Sequence, residues 1–317
     1  MNNIAAKITI GLALSLTSFF SIAQNGSHTE YLPIAVVAAR QQNIPESVNT
    51  YVENKLNQVV SQYGLGSADY YDRFILTASI VPVTKDVVAG PPAQIAENVD
   101  VTFYIVDNVD RKIFSSTTVS TKAVDVSEEK LLNKAIRSIK VNTPQIQNFV
   151  NKGKTQIINY YNSQADRIIS NAKLLAKQRN YEAAFFELSM IPEACGAAYD
   201  RAIAAAAVIY QEYVDYIGEI NLAKAKAAWA AQQNMFGAAE AGEFLSKILP
   251  DAKCYGRAED LYKEIKAKVL DDWHFEMSVY RDGVSLEKAR IEAWKEVGVA
   301  YGRNQKADTY NITWLVR

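Results

Sequence analysis

At Pro144 the hydrophobic pattern of this chain changes period, and that change constrains the fold more than any other feature. Beyond it, Ile146, Phe149, Val150, Ile157, Ile158, Tyr161, Ile168, Ile169, Ala172 and Leu175 keep a helical stripe. Before it, apolar residues alternate. Phe74, Leu76, Ala78 and Ile80 interleave with Ile75, Thr77 and Ser79, and Val99, Val101, Phe103 and Ile105 oppose Asp100, Thr102 and Tyr104. Asp107-Asn108-Val109-Asp110 reads as a hairpin turn into a third strand over 113–121.

Two helices join this sheet. Ile34, Val36 and Ala38 form a short strand, after which Asn43 caps a helix with Pro45 in its first turn and Gly64 and Gly66 at its end. Ser127 caps the second, which carries Leu131, Leu132, Ala135, Ile136 and Ile139. The order strand–helix–strand–strand–strand–helix predicts an α+β fold, a small antiparallel sheet with helices, followed by a solenoid-like helical repeat. Gly153 is a candidate kink in the long helix from Pro144. Shorter helices are expected over 181–191, 197–216, 220–233, 236–249 and 257–271. A last helix starts at Ser285, and 309–316 alternates as a strand that could return to the sheet. The expected units are a leader over 1–23, an α+β domain over 24–143, a helical-repeat domain over 144–271, and a carboxyl-terminal part over 272–317.

Lys7, the apolar run 8–22 and the small residues of Ser21-Ile22-Ala23 read as an export signal. The run is about half of the ~20 residues that a bilayer span needs. No cysteine follows it, so no lipid anchor is expected. The expectation is a protein released into the periplasm or outside the cell, with no membrane insertion after cleavage. Of the 34 basic residues the leader removes only Lys7, leaving a near-neutral chain against 35 acidic ones. That balance argues against nucleic acid as a partner.

Glu182-Ala183, Phe186 and Pro192 recur 58 residues later as Glu240-Ala241, Phe244 and Pro250. The run Ala172–Tyr181 leading into Glu182-Ala183-Ala184 resembles a tetratricopeptide helix junction, although a period of about 34 residues is standard there. Alanine-rich helix pairs cannot bury their faces alone and stack into a solenoid. Cys195 and Cys254 occupy nearly corresponding places in the repeat. An oxidising compartment favours a bridge between them. Stacked repeats, roughly 8–10 Å apart, argue against one.

The strand Ile34–Val37 with its helix, Asp72-Arg73-Phe74-Ile75-Leu76 and Val126-Ser127-Glu128-Glu129-Lys130 resemble the amino-terminal module of TolB. They also resemble the core of the CsgG curli-secretion family and of related small lipoproteins. The resemblance covers roughly residues 30–140 and implies an envelope protein that docks to other proteins. The TolB propeller repeats and a pore-forming strand pair are missing, so pore formation is not implied.

Catalytic patterns are few. Ser-x-x-Lys occurs at Ser127, Ser170 and Ser285, but without its partner motifs, and capping explains two of the serines. Gly64-Leu65-Gly66-Ser67 precedes Asp69, Tyr70, Tyr71 and Asp72 rather than a helix, so it is no phosphate cradle. His28 and His274 are the only histidines, too few to suggest a metal site. No catalytic residue, metal or cofactor is expected. The reading is a non-enzymatic adaptor or assembly factor for envelope proteins or polymers, with Tyr199, Tyr210, Tyr213 and Trp229 as candidate partner-binding residues on the solenoid. An exported hydrolase with dispersed residues and a structural component of a surface assembly are the alternatives.

Overall fold

The structure is a computed structural model of the 317-residue chain, and it describes residues 32–39, 41, 44–65, 73–269, 273–277 and 293–302. The leader, Asn43, His28, Gly66, the start of the helix at Ser285 and the alternating segment 309–316 lie outside the described residues.

Four strands form one sheet in the order β1 (Ala35–Val36), β2 (Phe74–Val88), β3 (Gln94–Asp107) and β4 (Lys112–Asp125). β1 pairs parallel to β2, with Ala35 opposite Ile75, and the other pairs are antiparallel. The edge of β2 beyond β1 is partly closed by Gln41, whose side-chain amide bonds both Ile80 N and Ile80 O. β2 runs eight residues past the alternating stretch, and all of Val81–Val88 is exposed, so burial leaves no alternation there to read. The expected turn at 107–110 is present: Asp107 Oδ1 accepts from Val109 N and Asp110 N at 2.9 and 3.0 Å.

Helix α1 (Glu46–Gln62) follows β1 with Pro45 at its N-cap in place of Asn43, so it begins two positions later than expected. It ends as expected, Gly64 taking φ +61°. Helix α2 (Glu128–Ser138) is capped by Ser127, which accepts from Lys130 N. Both helices and the start of α3 (Pro144–Lys177) bury Leu56, Leu131, Leu132, Ile146 and Phe149 against Val101, Phe103 and Ile105 of the sheet. The fold is α+β, with the sheet covered by helices and followed by helices alone.

Two expected breaks are absent. α3 is one uninterrupted helix, and Gly153 is a close approach rather than a kink: a Cβ there would lie 2.6 Å from Ile105 Cδ1. The helices expected over 197–216 and 220–233 are a single α5 (Ala197–Ala231). Gly218 sits at the supposed gap, where a Cβ would lie 2.8 Å from Cys254 Sγ and 3.0 Å from Ala252 Cβ. In both helices the glycine was selected by contact, not by a need to bend the backbone.

The long helices alternate with short ones, α4 (Tyr181–Ser189) after α3 and α6 (Met235–Leu245) after α5, and α7 (Tyr255–Val269) closes the series. α5 begins at Ala197 and α7 at Tyr255, 58 residues apart, whereas α4 and α6 begin 54 apart, at Tyr181 and Met235. Residues 293–302 are helical and lie on α4, where Trp294 packs 6.1 Å from Phe185. The core is continuous from the sheet through α3 into this helical half.

Candidate functional site

The long helices α3 and α5 part on one side to leave a groove of about 570 Å³. Its floor is Ile169 and Ala176 from α3, with Ala204, Ala205, Val208 and Ile209 from α5. Three of these six are alanines, whose short side chains leave the space open. Val208 is 61% exposed, a large apolar side chain left facing water. The rim is charged. Lys173 and Lys177 line the α3 side and Glu212 the α5 side, while an Asp166–Arg201 ion pair links the two helices. The lining contains no Ser, Thr, Cys or His, and its chemistry is that of binding an apolar stripe flanked by charge.

The strongest electrostatics lie elsewhere, where the sheet meets α3 and α4. Asp107, fully buried, accepts from Arg73 Nε at 2.6 Å and from the Tyr161 hydroxyl at 2.7 Å. Arg73 Nη2 also meets Asp110 Oδ2 at 2.6 Å, and its Nη1 points at Met190 Sδ on the turn after α4. Burial pushes the Tyr161 phenol far above its ordinary range, with Arg73 opposing it. Burial also raises the Glu187 carboxyl, again against the pull of Arg167 and Arg73. Each strong group here is met by another, so the cluster joins sheet to helices as a structural tie.

The four aromatic candidates do not form an open face, which corrects the expectation from sequence. Tyr210 is buried, with its ring 6.2 Å from both Phe185 and Tyr213. Tyr213 is half-buried and packs edge-on to Tyr181 at 5.5 Å. Trp229 is buried and donates Nε1 to Glu264 Oε1 at 2.9 Å, across to α7. Tyr199 takes a 2.6 Å bond from Lys295 Nζ. Tyrosine at every third position of α5 therefore serves helix-to-helix packing.

Cys195 and Cys254 are both free and buried, so the candidate disulfide is not formed. Cys195 Sγ lies 3.9 Å from Ile158 O on α3, whereas Cys254 Sγ packs on Gly218 of α5. Burial raises the Cys195 thiol to about 11 and pushes Cys254 up as well, which makes both poor nucleophiles. His274 is exposed and Trp273 beside it is buried, stacked on Phe275 at 5.1 Å. Among the described residues no group of three His, Cys, Asp or Glu side chains could hold a metal.

Sequence reading missed the α3–α5 groove. The available signal was one apolar residue out of place: Val208 lies on the exposed face of α5 and lines the groove.

No family model matches the chain, and no curated protein matches it. Among solved structures it is similar to a minor lipoprotein from Acinetobacter baumannii, at 14% identity and a TM-score of 0.26, over 38% of this chain and 95% of that one. It is also similar to a putative lipoprotein from Caulobacter crescentus CB15, at 12% identity and a TM-score of 0.23, over 38% of this chain and 87% of that one. At those values the likenesses carry no argument about what this chain does. Among the described residues no helix is long and apolar enough to cross a membrane.

Proposed function

We propose that this is an exported protein of the cell envelope that acts by docking a second protein and carries no catalysis of its own. The docked element is an amphipathic helix laid along the groove between α3 and α5. One observation carries the reading: Val208 stands exposed on an alanine-lined floor between charged rims. Such a floor accepts the i, i+3, i+4, i+7 apolar stripe of a helix. Lys173 and Lys177 on the α3 rim favour acidic residues along one flank of that helix. The charge pattern of residues 1–23 supports export.

The test is fluorescence anisotropy with a labelled amphipathic peptide that has a leucine stripe and glutamates on one flank. Wild-type protein is expected to bind it, and Val208→Asp to weaken binding by about tenfold or more, since a charge would then be buried under the peptide. Equal binding by the variant would refute the site.

A further inference from the structure

A second groove, of about 810 Å³, lies between α1 and the C-terminal end of α2. Its α1 wall is a stripe of hydrogen-bonding side chains, Asn54, Asn57, Gln58, Ser61 and Gln62, recurring at helical spacing. Arg137 forms the α2 side, its guanidinium 5.7 Å from the Tyr51 ring. The walls are tied together, because Lys55 Nζ donates to Ile139 O at 2.7 Å and the Tyr63 hydroxyl to Val141 O at 3.0 Å.

No acid lines this groove. Residues 130–165 hold Lys130, Lys134, Arg137, Lys140, Lys152 and Lys154 without one Asp or Glu, and 54–65 add Lys55 with none, while the flanking acids are Glu53 before the α1 stripe and Glu128 and Glu129 at the far end of α2. In a chain that is neutral overall, this concentrates positive potential at one place. Burial, and then the Arg137 charge, lowers the Lys55 pKa, in keeping with that field.

Cations alone would suit any anion. The amide stripe narrows the choice, since Asn and Gln both donate and accept, matching a ligand dense in hydroxyl groups. Tyr51, half-buried with Arg137 over its ring, adds an aromatic side chain to the lining and holds the guanidinium at the groove. We propose that the groove binds an acidic polysaccharide, Arg137 meeting its carboxylates and the α1 amides its hydroxyls. This site is separate from the α3–α5 groove, and either can fail without the other.

Calorimetric titration of the full chain with a galacturonate hexamer, a glucose hexamer and inorganic phosphate tests it. The acidic hexamer is expected to bind at least about tenfold more tightly than the neutral one, and more weakly as salt rises. Arg137→Glu should abolish the preference, and Gln58→Ala should weaken binding several-fold with the urea midpoint unchanged. Equal affinity for the two hexamers, displacement by phosphate alone, or unaltered binding by both variants would overturn the proposal.

Discussion

Two buried carboxylates differ in how their neighbours meet them. Asp107 has a partner at each oxygen: Arg73 and Tyr161 at one, two backbone N–H groups at the other. Asp107→Ala would leave Arg73 with Asp110 as its carboxylate partner, deprive the Tyr161 hydroxyl of its acceptor and release the turn, and is expected to lower stability by about 3 kcal/mol, read from urea denaturation. Glu97 is 1% exposed, yet neither oxygen has a hydrogen bond, and Lys85 Nζ remains 3.8 Å away while it bonds Glu128 at 2.7 Å. At that separation the Lys85 contact is a weak attraction, not a hydrogen bond. Burial first, then the Glu128 charge, raises the Glu97 pKa, with Lys85 opposing. A folded-state pKa above the unfolded one favours the protonated native form. That contribution is complete below the ordinary carboxylate range and disappears as pH rises through the raised value. Glu97→Gln is therefore expected to be more stable than wild type near pH 7, with the gap closing towards about pH 4. A gap independent of pH would contradict this origin.

Among the elements, several helix contacts depend on a glycine that lets a neighbour approach. Gly298 shows this most sharply, since a Cβ there would lie 2.8–2.9 Å from the Phe185 and Phe186 backbone of α4. Backbone cannot swing aside, so Gly298→Ala is expected to cost about 1–3 kcal/mol. Gly256 in α7 has nothing within 4 Å, and Gly256→Ala should gain up to about 1 kcal/mol, both variants being read by thermal unfolding. The same glycines explain what the sequence did and did not disclose. Periodicity located every element of the amino-terminal half, because burial on a sheet or an amphipathic helix imposes a period. It misjudged Gly153 and Gly218, because a glycine required by a neighbour looks like one required by a bend. The tyrosines of α5 misled for a related reason: amphipathic side chains suit a helix interface as well as an exposed face. The basic run over 130–165 was legible, but the charge balance of the whole chain averaged it away.

For the whole molecule, α3 is the member that both halves share. Its first turns belong to the sheet: Phe149 packs 6.4 Å from Phe103, Ser115 Oγ donates to Phe149 O at 3.0 Å, and Tyr161 caps the Asp107 cluster. A fragment of residues 24–143 loses all of these contacts and is expected to show no cooperative urea transition. Extension to residue 165 should restore one, and a cooperative transition in the shorter fragment would show that the sheet and its two helices suffice. With α3 fixed against the sheet at one end, its other half and α5 hold the charged rims of the groove at constant spacing, as a docking surface requires.

That surface is tested most directly by reversing its charge. The account predicts that wild type prefers an amphipathic helix with glutamates on one flank over the same helix with lysines, and that Lys173→Glu with Lys177→Glu inverts this order in side-by-side anisotropy titrations. An unchanged order of preference in the double variant would contradict it.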